Sequence, residues 1–406
     1  MGVILGAGIY VLVGVAAGRA GNALWLSFLF AAVAAALTGI SYARLGRVRP
    51  KNAPEFQYVD MAFGRSLAFL AGWLVLWAGI ISASAVALGF AGYLEHLFGT
   101  PYLPSAIGLV LVSSLVVFLG VGESAIFAGV LTIIEAAGLV FILGIGIPHF
   151  GEVDLLEMPL GMPGVFGAAS LVFFAFLGFE GMANLSEEMK NPERDLPRAL
   201  FLALGISTVL YLLVSLSAIN VLGWSRLSQS SAPLALVAAE ALGTKADLVL
   251  SVVALFSTAN TVLLLLLAAS RAMWAMSCAG VLPMTFCVIG ENRRTPWITI
   301  IIVAVFASLF VMMRDIGEVA EFTNFATLLA FAGVNASVIK LFGRNVAKSR
   351  SKHILLNIAL PALGFVVSLL LAATAGWRAA LFGALLLGAG IVVYVTMGIF
   401  RRKGDG

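Results

Sequence analysis

The sequence predicts an all-α integral membrane protein of about 12 transmembrane helices. The expected plan is a 5+5 inverted repeat followed by two C-terminal helices, with spans 1 and 6 broken. Three observations predict it. Of 406 residues, 61% are hydrophobic and 11% charged, whereas a soluble domain carries about 25% charge. Apolar stretches succeed one another along the whole chain, each long enough to cross a bilayer. Two of them are interrupted by glycines in mid-membrane, at Gly6-Ala7-Gly8-Ile9-Tyr10 and at Phe176-Leu177-Gly178-Phe179-Glu180-Gly181.

The spans are expected at 2–18, 23–43, 67–94, 104–120, 124–147, 164–186, 198–222, 248–278, 296–313, 319–341, 354–374 and 377–400. The interrupted spans, 1 and 6, stand five apart. Spans 3 and 8 are among the longest and also stand five apart, which predicts strong tilt in both. Repeat one therefore covers 1–147 and repeat two 164–341. The appended spans cover 354–400, and a tail of 401–406 follows.

Basic residues orient the bundle. With the N-terminus inside, 19 of the 24 Lys and Arg residues fall on the cytoplasmic side, as positive-inside bias requires. The outer side holds Arg19, Arg226, Lys245, Arg314 and Arg378. Both termini are thus expected in the cytoplasm, with the chain a multi-pass protein of the cell membrane. The net charge of +4 lies between spans rather than among stacking aromatics, so no nucleic acid partner is expected. The two cysteines, Cys278 and Cys287, imply no disulfide framework. His96, His149 and His353 are scattered over loops and form no metal constellation. No cofactor is implied. A membrane enzyme would need a dyad or metal cluster within the spans, and the sequence offers none.

The breaks carry the chemistry. In hydrocarbon every backbone N–H and C=O needs a partner, so a helix opens only where the freed groups line a cavity. N–H groups freed after Gly6 and Gly8 suit a carboxylate. Carbonyls freed around Phe174–Leu177 suit an ammonium. Together they match a zwitterionic α-amino acid. The alternative is that these glycines only allow close helix packing. Paired interrupted spans in two halves of a chain favour a secondary transporter.

Several segments resemble the amino acid–polyamine–organocation (APC) superfamily, nearest its amino acid permease and cationic amino acid transporter branches. They are Gly-Ala-Gly-Ile-Tyr at 6–10, Tyr-Val-Asp-Met-Ala-Phe-Gly at 58–64, Val-Leu-Thr-Ile-Ile-Glu at 130–135 and Phe-Phe-Ala-Phe-Leu-Gly-Phe-Glu at 173–180. The run Ser-Glu-Glu-Met-Lys-Asn-Pro-Glu-Arg-Asp-Leu-Pro-Arg-Ala at 186–199, Ser270-Arg271 leading to Gly280–Pro283, and the segment 325–338 extend the match over spans 1 to 10. The resemblance implies the fold of the bacterial leucine transporter, with alternating access around a central site. It implies that Ile4, Gly6, Ala7 and Gly8 hold the substrate carboxylate and part of its amino group. Phe174, Ala175 and Leu177 would offer carbonyls to the ammonium.

Three departures stand out. Glu135 occupies the place where many proton-coupled relatives carry a lysine. It is read as a coupling residue, with a hydrogen-bonded structural carboxylate or part of a cation site as alternatives. Ser257 and Thr258 on span 8 are candidate neighbours of an ion site, although hydroxyls on membrane helices often bond their own backbone. Ala53-Pro54 replaces two glycines usual before the tyrosine motif. The third departure is the start. From Gly8 to Gly18 a helix covers roughly 15 Å, half the hydrocarbon core, so an upstream half-span is expected. Glu180 is read as a structural or gating carboxylate. The sequence therefore points to amino acid transport with a proton as coupling ion. Exchange and sodium-coupled symport are alternatives, and a transport-inactive sensor is a remote one.

Overall fold

The computed structural model describes residues 2–48, 53–120, 125–184, 189–290, 293, 295–343 and 355–404. Residues 186–188 of the loop motif lie outside it, as do Arg49, Lys51, Arg294, Arg344, Lys348, Arg350 and Lys352 of the basic count. The described residues are helical and contain no strand.

Among the described residues sixteen α-helices follow in order. Helices α1 (Gly2–Leu5) and α2 (Ala7–Ala20) flank Gly6, and α3 (Leu24–Val48) continues from α2 through a tight turn at Gly21–Ala23. A short helix, α4 (Pro54–Phe63), precedes α5 (Arg65–Phe98), α6 (Tyr102–Phe118) and α7 (Ala125–Gly146). Then come α8 (Gly161–Val172), α9 (Gly181–Asn184), α10 (Pro192–Ser228), α11 (Pro233–Leu242) and α12 (Thr244–Cys278). The chain closes with α13 (Trp297–Val311), α14 (Ile316–Phe342), α15 (Leu360–Thr374) and α16 (Trp377–Gly404).

Among the described residues 9 helical stretches are long and apolar enough to cross a membrane. The first, Ala7–Val48, has 42 residues and takes in two of the expected spans. Apolar helices α6 and α13, with 17 and 15 residues, are shorter and lie where spans 4 and 9 are expected. Helices α5 and α12 have 34 and 35 residues. Either would extend roughly 50 Å, well beyond a hydrocarbon core of about 30 Å, so tilt is required of both. They pack along each other, and α14 packs on α5. Helix α2 lies inside this frame, buried from Ala7 to Gly14.

The turn between α2 and α3 depends on Gly21, whose φ of 68° and ψ of −149° suit only glycine. A side chain there would also meet the Glu157 carbonyl at 2.5 Å. The segment between α7 and α8 is held over this turn by polar contacts. Asn22 Nδ2 and Trp224 Nε1 both donate to Glu157, at 2.7 and 2.9 Å, and Trp25 Nε1 donates to the Leu155 carbonyl. Trp25 and Trp224 thus fasten a loop with their polar edges. Beside them an ion pair joins Arg19 at the end of α2 to Glu321 on α14.

Gly21→Val should cost about 1–3 kcal/mol from backbone strain alone, with the clash added. Thermal unfolding of the purified protein in detergent is expected to show a lower Tm, by several degrees.

Candidate functional site

The two breaks meet. In the first, α1 stops at Leu5, Gly6 takes a non-helical ψ of −148°, and α2 begins at Ala7. In the second, α8 ends at Val172, residues Phe173–Phe176 tighten into a 3-10 turn, and Leu177 is extended at ψ 146°. Gly178 then takes a φ of 108°, in the left-handed region. Gly8 is placed directly against Ala175: a Cβ on Gly8 would lie 2.5 Å from the Ala175 Cα. Only a glycine permits that approach. Gly8 and Ala175 thus meet, and the other expected residues Ile4, Gly6, Ala7 and Phe174 adjoin them in sequence at the two breaks. All six are buried, and Leu177 is half-buried beside them.

Opening two helices frees backbone groups, and side chains from neighbouring helices take them up. Asn324 Nδ2 on α14 donates to the carbonyls of Ser170 and Leu171, at 2.6 and 3.0 Å, where α8 tightens. The Ala7 N–H reaches Thr261 Oγ1 on α12 at 3.4 Å. Tyr211 on α10 places its hydroxyl between the two breaks. It hydrogen-bonds the Ile4 carbonyl of one and the Ala175 carbonyl of the other, the latter at 3.0 Å. A phenolic hydroxyl has one proton to donate, so it serves these two acceptors one at a time. Two further tyrosines brace the first break. Tyr93 Oη on α5 donates to the Tyr10 carbonyl at 2.8 Å, and Tyr10 Oη donates to the Glu135 carbonyl at 2.8 Å. Gly138 leaves room for that contact, since a Cβ there would come within 2.5 Å of Tyr10 Oη.

Glu135 is buried on α7, 1% exposed. Its side chain faces α1: a Cβ on Gly2 would lie 4.0 Å from Glu135 Oε2. It therefore lies at the half-helix that precedes the first break. Thr258 bonds the Ala254 and Leu255 carbonyls of its own helix, at 2.7 and 3.1 Å. The hydroxyl that reaches the break belongs to Thr261, one turn along, which also donates to the Ser257 carbonyl. The Ser257 hydroxyl is buried with no hydrogen-bond partner among the described residues. Glu180 accepts from the Gly178 N–H at 2.9 Å, so its carboxylate takes up a backbone group freed by the second break.

A further carboxylate went unread in the sequence. Ala53, at φ 56°, turns the chain into Pro54, the first residue of α4, and Glu55 follows. Glu55 is 5% exposed and accepts a hydrogen bond of 2.6 Å from Tyr42 on α3. Tyr42 packs edge-on against Tyr58, Phe179 and Phe331. Helix α4 is thus fastened across the end of the bundle below the second break. Tyr10, Tyr42, Tyr93 and Tyr211 share one signal that could have found them. Each puts a hydroxyl in mid-span or at a buried helix end, where it must find a partner.

An all-helical membrane bundle whose two opened helices meet at a buried polar point defines a membrane permease. The chain belongs to the amino acid permease family of the APC superfamily, whose family profile, described as "Amino acid permease", matches residues 1–399. It is 33% identical to the methylthioribose transporter of Bacillus subtilis (strain 168), over 84% of this chain and 78% of that protein. It is 27% identical to the branched-chain amino acid permease BcaP of the same organism, over 99% and 91%. It is 30% identical to cationic amino acid transporter 4, vacuolar, of Arabidopsis thaliana, over 84% of this chain and 61% of that one.

Helix α4 lies outside the membrane-crossing stretches, and its Glu55 gives a pH prediction. Burial raises the Glu55 carboxyl above its usual range, and the Tyr42 hydrogen bond opposes this in part. The packed position therefore holds a proton more tightly than the same carboxyl open to water. Proton binding favours the packed state, so acid on the α4 side holds α4 in place. Raising pH from the ordinary carboxylate value through the raised one favours its release. Transport by wild type should accelerate across that window, and Glu55→Gln should flatten the profile. The check is initial uptake rate in proteoliposomes against pH on the α4 side. An unchanged profile in Glu55→Gln would dismiss Glu55 as the titrating group.

Proposed function

We propose that this chain carries α-amino acids across the cytoplasmic membrane by alternating access, as a proton-coupled symporter. The reading includes twelve spans, both termini inside, and two inverted repeats. The observation that carries it is the meeting of the breaks at Gly8 and Ala175, with the Tyr211 hydroxyl shared between their carbonyls. One donor for two acceptors leaves carbonyl capacity for an arriving ammonium. The N–H groups that open α2 supply the complementary end for a carboxylate. Glu135, buried beside α1, is the coupling group in this reading. Its proton affinity changes as α1 moves and the cavity admits or excludes water. Loading by a second amino acid in place of a proton, which is exchange, uses the same site and differs only in what resets it.

The name of the methylthioribose relative makes a competitor of a different chemistry worth testing. Methylthioribose has neither carboxylate nor ammonium and cannot make the paired backbone contacts.

Uptake of a radiolabelled amino acid mixture into proteoliposomes tests the reading. Free α-amino acids should compete, while amino acid amides, decarboxylated amines and deaminated acids should not. Gly8→Leu should abolish uptake, because its side chain would displace the second break. Glu135→Gln should keep substrate binding but lose accumulation driven by an imposed pH gradient, leaving exchange at most. Amines competing as well as their parent amino acids would refute the role of Gly6–Gly8. Methylthioribose displacing every amino acid would move the substrate class. Wild-type uptake that needs sodium and ignores the pH gradient would make the carboxylate part of a cation site.

A further inference from the structure

The two cysteines implied no disulfide framework in the sequence, yet the structure joins Cys278 and Cys287 in a disulfide across 9 residues, with the Cα atoms 5.0 Å apart. Cys278 is the last residue of α12, and Cys287 closes a 3-10 turn at Met284–Cys287. The intervening loop folds back on the helix end. Val281 N–H donates to the Met276 carbonyl at 3.0 Å. Trp274 Nε1 donates to the Cys287 carbonyl at 3.2 Å, and Ser277 Oγ to the Pro283 carbonyl. Val281 and Leu282 are buried by this fold. Cys278 is exposed and Cys287 half-buried.

Two contacts connect the loop to the end of the bundle closed by α4. Arg65, at the start of α5, donates Nη2 to the Ala279 carbonyl at 3.1 Å. Its guanidinium thus bonds the residue that follows Cys278. Met276 reaches Gly72 on α5 at the same point as Phe56 of α4. A Cβ on Gly72 would find Phe56 Cβ at 3.6 Å and Met276 Cε at 3.8 Å. Phe56 follows Glu55 directly. The helix end that the disulfide fixes and α4 thus meet at the same point of α5.

We propose that Cys278–Cys287 is a reversible thiol–disulfide switch on the cytoplasmic face that slows transport when oxidised. This rests on the orientation and function proposed above. A disulfide facing a reducing compartment is transient and regulatory rather than a permanent staple. The oxidant is a low-molecular-weight disulfide of the thiol pool. One cysteine thiolate attacks it, forming a mixed disulfide and expelling one thiolate. The second cysteine thiolate attacks the mixed disulfide, forming the internal bond and expelling the other. The two protons lost by the cysteines go to the two expelled thiolates. Oxidation locks the loop to the end of α12 and restrains α4 through Met276 and Phe56. Reduction releases both.

The test uses the full-length protein in proteoliposomes, treated with oxidised glutathione or with dithiothreitol. Mass spectrometry confirms the state of the pair. Oxidised wild type should transport roughly three- to tenfold more slowly than reduced, reversibly. Cys278→Ser and Cys287→Ser should run at the reduced rate in both reagents. Hydrogen exchange over residues 54–63 is measured in the same samples and needs no substrate. It should be slower in the oxidised wild type and insensitive to reagent in the serine variants. Equal exchange in both states overturns the switch whatever the transport assay gives. Slower exchange without amino acid movement in either state supports the mechanical link and refutes the proposed transport function instead. Labelling of the reduced pair from outside intact cells by a membrane-impermeant maleimide would overturn the cytoplasmic placement.

Discussion

The structure depends on one constraint: a helix opened inside a bilayer must find partners for the backbone groups it frees. Here two helices open, at Gly6 and at Phe173–Leu177, and they open toward each other. The contact of Gly8 with Ala175 sets the distance between them. The supporting cast follows from that requirement. Asn324 takes the carbonyls at the end of α8, Thr261 takes the N–H of Ala7, and Tyr211 spans both breaks. An unpaired buried polar group costs about 1–3 kcal/mol, so each partner stabilises an arrangement that hydrocarbon alone would close.

The same partners allow motion. They are single hydrogen bonds from side chains on α10, α12 and α14, not continuous ladders. A hydrogen bond contributes only about 0.5–1.5 kcal/mol net, so an incoming charged ligand has enough interaction energy to displace one. Tyr211 is the sharpest case, because its one proton already leaves one of two carbonyls underserved. The other end of the system is α4, closed by Glu55–Tyr42 and by aromatic edges around Tyr42, with Phe56 of α4 and Met276 of α12 meeting at Gly72 of α5. Events at the breaks and at α4 share the second broken helix, since Phe179 packs on Tyr42.

Much of this was legible in the sequence because it is local. Composition gave the membrane class, and apolar run lengths gave the helices. Glycine clusters gave the breaks because two of them stand five spans apart; one alone reads as close helix packing. Tyr10, Tyr93, Tyr211 and Thr261 were not legible as site residues. Their partners across the breaks lie 36 to 254 positions away in sequence, and a tyrosine in an apolar run reads first as packing. Thr261 and Thr258 differ by three positions, too little for span boundaries to resolve which faces the break. Glu55 was not read at all: it follows Ala53-Pro54 between two apolar spans, and the Tyr42 that buries it lies 13 positions back on another helix. The cysteine pair was dismissed because two cysteines make no framework, an argument that says nothing about a single local clip.

The central claim is that the two breaks form one amino acid site. A cryo-electron microscopy structure of the protein with a bound α-amino acid tests it most directly. The ligand carboxylate should lie against the N–H groups of Gly6–Gly8. Its ammonium should lie about 3 Å from the Ala175 carbonyl, with the Tyr211 hydroxyl turned to Ile4. Ligand density away from the meeting of Gly8 and Ala175, with the Tyr211 contacts unchanged, would contradict it.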